Sequence, residues 1–63
     1  MKRGKLEKHL RRHGCVASGG SKHEHWMNPV TLAMTTVPRH DEIKFGTVKS
    51  ICRALDIPRP LGR

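Results

Sequence analysis

Apolar residues recur along the chain with two different periods. Leu6 and Leu10 stand four apart, with His13 three further on, in a stretch otherwise dense in Lys and Arg. This narrow stripe predicts a helix over residues 2–13. Gly14 follows at once and suits a C-terminal cap, and the basic last turn suits the negative end of the helix dipole. The period then shortens to two. Cys15-Val16-Ala17 predicts a short strand, and Ser18-Gly19-Gly20-Ser21 a turn. From Lys22 to Met27 the residues alternate, placing His23, His25 and Met27 on one side and Lys22, Glu24 and Trp26 on the other. Asn28-Pro29 signals a turn, and Thr31 to Val37 alternates again in β-forming residues until Pro38 stops it. Helical spacing returns in Val48, Ile51, Cys52 and Leu55, with Gly46-Thr47 opening this helix and Thr47 as its expected N-cap. Pro58 and Pro60 end any helix. Neither helix can bury its apolar stripe alone. The expected fold is therefore α+β, a small α-β-β-β-α domain in which two helices pack on one face of a three-stranded antiparallel sheet.

Sixty-three residues suffice for a single domain over 1–63, in which 57–63 is expected to be a flexible tail. A chain of this size buries only about 60% of the surface its unfolded form exposes, so stability is thin and a deep walled cavity is excluded. Any site must be an open surface. Thirteen Lys and Arg against five Asp and Glu leave a net charge of +8, which points to a polyanionic partner. A membrane is not that partner, because no apolar run approaches the ~20 residues of a bilayer span and the first helix has too few apolar anchors to insert. Met1-Lys2-Arg3 is not followed by an apolar core, so no secretory leader is expected and a cytoplasmic address follows. In that reducing compartment Cys15 and Cys52 are expected to be free, buried and structural.

The chemistry is narrowed by what is scarce. Glu7, Glu24, Asp41, Glu42 and Asp56 are scattered and form no set spaced to hold Mg²⁺. Neither a Ser-His-Asp arrangement nor a Gly-rich phosphate loop can be read. Histidine and cations remain, and they are enough to cleave RNA. RNA carries its own nucleophile, the 2′-hydroxyl, so a protein needs only a proton-transfer group and positive charge for the phosphorane. Histidine, titrating at about 6.5, supplies the first without a metal. Of the five histidines, His9, His13, His23, His25 and His40, His23 stands out, since it follows a Gly-Gly-Ser turn and has Lys22 beside it. His23 and His25 share a strand face and would need His40 or another ligand to make a zinc site. No metal and no small-molecule cofactor is expected.

Three segments carry a family resemblance. Gly20-Ser21-Lys22-His23-Glu24-His25-Trp26-Met27-Asn28-Pro29, then Thr36-Val37-Pro38-Arg39-His40, then Glu42-Ile43-Lys44-Phe45-Gly46-Thr47-Val48-Lys49-Ser50-Ile51 resemble, in order, the HicA (YcfA-like) mRNA interferase toxins. The resemblance implies a fold like that of double-stranded-RNA-binding domains, cleavage of mRNA, and a HicB-type antitoxin protein that occludes the site. In many members the histidine follows Gly-Ser directly, which would put Lys22 in its place. Counting back three from the aromatic Trp26 selects His23 instead, with one residue added after the turn. Lysine is a poor base near neutral pH, and strand alternation makes the distance from the aromatic the stiffer ruler. His23 is thus the expected catalytic residue. Gly20 is the tight-turn residue, with Gly19 as the alternative. Substrate contacts are expected from Gly20, Ser21, Lys22, Arg39, His40 and Lys44, His40 having no assigned chemical role. Two other readings compete: a non-catalytic RNA-binding module of the same fold, and an interaction protein whose basic surface meets an acidic partner.

Overall fold

The computed structural model describes residues 1–19 and 23–60. Two helices and three strands follow in the order α1 (Arg3–Arg12), β1 (Val16–Gly19), β2 (His23–Asn28), β3 (Ala33–Pro38) and α2 (Phe45–Ala54). The strands form one antiparallel sheet in the order β1-β2-β3. This is the small α+β domain expected from the alternation of periods.

Both helices lie on one face of the sheet and share one core with it. Leu6 and Leu10 from α1, Val48, Ile51 and Cys52 from α2, and Leu55 just beyond it meet Trp26 and Val37 from the sheet, with Cys15 and Ile43 closing the edges. The parity of β2 is as expected: Trp26 and Asn28 are buried on the helix side, while His23 and His25 are exposed on the outer side. His13 is exposed rather than part of the α1 stripe, because it is already the C-cap residue, where the chain turns.

Both helices end the same way. After α1 the Gly14 N–H donates to the Arg11 carbonyl and the Cys15 N–H to the Leu10 carbonyl, both at 2.9 Å, with Gly14 at φ +85°. This pair of hydrogen bonds satisfies two orphan carbonyls and needs a left-handed residue, which glycine adopts freely. After α2 the Asp56 N–H reaches the Arg53 carbonyl and the Ile57 N–H the Cys52 carbonyl, with Asp56 in the left-handed region at φ 58°. The chain then returns over the helices, where Ile57 packs against the core.

Two expected boundaries move. Thr47 is not the N-cap of α2; the N-cap is Lys44, three residues earlier, and its side chain makes no cap hydrogen bond. The reason lies in the preceding segment, which is tied to the start of the chain. The Arg3 N–H donates to the Asp41 carbonyl at 2.9 Å and the Ile43 N–H to the Met1 carbonyl at 2.7 Å, forming a short bridge at Lys2 and Glu42. Ile43 is thereby buried and fixed, and the chain enters the helix immediately after it. At the β2–β3 connection Thr31 and Leu32 belong to the turn and not to β3. There Asn28 is buried; its Nδ2 donates to the Leu55 carbonyl at 2.8 Å and its Oδ1 accepts from the Val30 N–H at 3.0 Å. One side chain thus ties the hairpin to the end of α2.

Cys15 and Cys52 are free and buried, and burial pushes both thiols up; at Cys52 the neighbouring Cys15 acts in the same direction. Buried thiols with raised values are poor nucleophiles. A thiol held neutral in the fold ionises first in the unfolded chain. Its contribution is therefore complete below the ordinary thiol value of about 8.5 and lost as pH rises through the raised one. Denaturant unfolding followed from neutral to alkaline pH should show stability falling more steeply in the parent chain than in Cys15→Ala/Cys52→Ala. Parallel pH slopes would refute this.

Candidate active site and nucleic-acid interface

His23 opens β2 on the outer face of the sheet, and strand pairing decides what surrounds it. Its Cα partner on β3 is Pro38, followed by Thr36 opposite His25 and Met34 opposite Met27. This register brings Arg39 and His40, which continue from Pro38, to the same end of the sheet as His23. All three are exposed. On the other side His25 faces Gly19 of β1, after a register shift between Ala17 and Gly19. Gly19 has φ +85°, so within the described residues the left-handed glycine of this turn is Gly19. An L side chain there would be strained although nothing crowds the position. Gly20, Ser21 and Lys22 lie outside the described residues.

The His23 and His25 rings make no hydrogen bond to another described side chain. Glu24, the nearest carboxylate in sequence, is on the opposite face and occupied: it accepts the indole N–H of Trp26 at 2.9 Å. Among the described residues no three His, Cys, Asp or Glu side chains converge as metal ligands. Lys44 is exposed at the N-cap of α2, so it reaches the surface through the helix layer and not through the strand pairing that joins the other candidates. What the arrangement offers is an imidazole on an open face with a guanidinium and a second imidazole at its end. That suffices for proton transfer beside a phosphate.

The same face continues into an apolar region that the sequence pattern did not single out. Val16 and Met34 flank Met27 and are 47% and 60% exposed, and Val30 and Leu32 project from the turn beyond, Leu32 at φ 66°. Strand parity was the available signal, since it places Val16, Met27 and Met34 on the side of His23 and His25.

A family model described as the HicA toxin of bacterial toxin–antitoxin systems matches residues 3–57. The chain belongs to the HicA toxin family. The match runs from the first residue of α1 to Ile57, two residues beyond the C-cap of α2, so it covers every element of the fold. HicA proteins are the toxins of toxin–antitoxin pairs, generally mRNA interferases, and membership implies a partner antitoxin. No curated protein and no solved structure matches the chain at a significant level. No helix among the described residues is long and apolar enough to cross a membrane.

Proposed function

We propose that this HicA chain is a metal-independent endoribonuclease that cleaves mRNA in the cytoplasm with His23 as general acid–base, held in check by a HicB-type antitoxin. The observation that carries the reading is the β2–β3 register, which sets His23 against Pro38 and so puts Arg39 and His40 at its end of an uncovered sheet face. In this mechanism the 2′-oxygen of the substrate attacks the adjacent phosphorus and the bond from phosphorus to the 5′-oxygen breaks. His23 takes the 2′-hydroxyl proton or protonates the departing 5′-oxygen. Arg39 offsets the charge that builds on the phosphoryl oxygens, and Lys22, Gly20, Ser21, His40 and Lys44 are assigned to holding the strand. The antitoxin covers the outer face, where His23 and His25 adjoin the exposed Val16 and Met34. An apolar margin beside a cationic site suits a partner that is acidic and partly apolar.

The test is the fate of the substrate. Cleavage should survive excess EDTA, and RNA carrying 2′-O-methyl or 2′-deoxy at the scissile nucleotide should resist it. Products should end in a 2′,3′-cyclic phosphate or its hydrolysed monophosphate, and added antitoxin should stop the reaction. Products with 5′-phosphate ends, or strict dependence on a divalent ion, would replace the 2′-hydroxyl by water as nucleophile. Binding without any cleavage would leave the non-catalytic RNA-binding module.

A further inference from the structure

The cations of α1 are divided into two rows with different surroundings. Arg3 and Arg11 lie one turn either side of Glu7, 3.5 Å and 3.8 Å from its carboxylate, and the Arg11 guanidinium sits 5.1 Å from the centre of the Trp26 ring. That row is partly neutralised and engaged with the sheet. Lys5, Lys8 and Arg12 form the other row. None of them pairs with a described carboxylate, and all three are exposed. With Arg59 from the returning chain they line a cleft of about 550 Å³ in which no carboxylate is found among the described lining residues.

The cleft is built rather than incidental. His9 donates from Nε2 to the Pro58 carbonyl at 2.7 Å, clamping the segment after α2 against α1. The His13 ring, exposed at the cleft, lies 4.6 Å from the His9 ring. Ile57, anchored in the core, holds the segment from the other side. Like charges gathered without a counter-charge repel one another, and an anion that neutralises them stabilises the fold that gathers them. At 1.5 Å per residue Lys5 and Arg12 are about 10.5 Å apart along the helix, the axial span of roughly three nucleotides of one strand. A row of that length fits a run of phosphates better than a single one, and an exposed imidazole offers a surface on which a base can stack.

We infer that the α1–Arg59 cleft is a second RNA-backbone site, separate from the His23 end. It lies in the helix layer, whereas His23 is on the opposite face of a domain 16 Å across its shortest dimension. RNA held by both would be bent around one edge of the domain. The inference rests on the nuclease reading only in taking the strand to be the substrate, and its test reads binding instead of cleavage.

The full chain carrying His23→Ala keeps RNA intact while affinity for a labelled single-stranded RNA is measured across a salt series. In that background Lys8→Gln/Arg12→Gln should weaken binding about tenfold or more at low salt. It should also lower the salt slope by about 1.4, at about 0.7 for each phosphate of a single strand that is no longer neutralised. Lys49→Gln/Arg53→Gln removes the same charge from α2 and should change affinity by less than about threefold, a margin set by its longer-range field. The single variants Lys8→Gln and Arg12→Gln, with circular dichroism of each, separate weakened binding from a damaged fold. Undiminished RNA affinity in Lys8→Gln/Arg12→Gln overturns the inference, as does an equal drop in both pairs. Undiminished RNA affinity with abolished binding of polyglutamate would assign the cleft to an acidic protein instead. A parent chain that binds RNA through this cleft yet never cuts refutes the nuclease reading alone.

Discussion

His23→Ala is expected to lower RNA cleavage by about 10²–10⁴-fold, the usual contribution of one general acid–base group. The fold should be untouched. His23 is exposed at the first position of β2, makes no hydrogen bond to another described side chain, and contributes nothing to the core. Exposed substitutions of that kind usually change stability by no more than about 0.5 kcal/mol. Circular dichroism and the unfolding midpoint should therefore match the parent while cleavage disappears. His25→Ala is the informative companion, because His25 shares the face two residues on and faces Thr36 rather than the Pro38 end. It should retain most of the activity. A folded His23→Ala chain that still cuts at the parent rate would end the assignment, and inactivity confined to His25→Ala would move it to the next outward position on the same face.

The largest effect on stability is expected at Trp26. Its side chain is wholly buried between the sheet and both helices, its indole N–H is satisfied by Glu24, and Arg11 lies over its ring. Truncating a buried Trp to Ala costs about 3–5 kcal/mol, against the roughly 5–15 kcal/mol by which natural domains are typically stable. A domain this small sits at the low end, so Trp26→Ala should leave most of the chain unfolded at ambient temperature. Trp26→Phe keeps much of the ring but removes the donor from the half-buried Glu24, which should cost about 1–3 kcal/mol. Denaturant unfolding followed by circular dichroism checks both. A Trp26→Ala chain that melts cooperatively within about 1 kcal/mol of the parent would mean that the core does not depend on this ring. Because Trp26 is also the ruler that selects His23, the expected outcome would mean that the aromatic in the motif acts through the fold and not through the chemistry.

The elements were legible where periodicity is strong. Leu6 and Leu10, and the set Val48, Ile51, Cys52 and Leu55, all lie in the core. The alternation around Trp26 correctly separates an inner face from one that bears His23 and His25. Family membership was legible as well, because three short segments in order constrain each other as none does alone. Boundaries were less legible. Thr47 is a good N-cap by chemistry, but Ile43 is held by the chain start, and that pairing of residues distant in sequence starts α2 earlier. Leu32 reads as a strand residue by propensity, yet the Asn28 side chain organises the turn around it.

What the sequence determined by itself is what local spacing determines: two amphipathic helices, three strands, the parity of His23 and the net charge. Only the tertiary structure decided which residues share a surface. The antiparallel register carries Arg39 and His40 to the His23 end of the sheet although they stand well beyond it along the chain. Likewise, the hydrogen bond from His9 to Pro58 brings Arg59 to the cations of α1. The physical reason is the same in both. A period of about 2 or 3.6 residues specifies the direction of a side chain relative to its own element, whereas proximity between elements is set by which buried faces pack together and in what register.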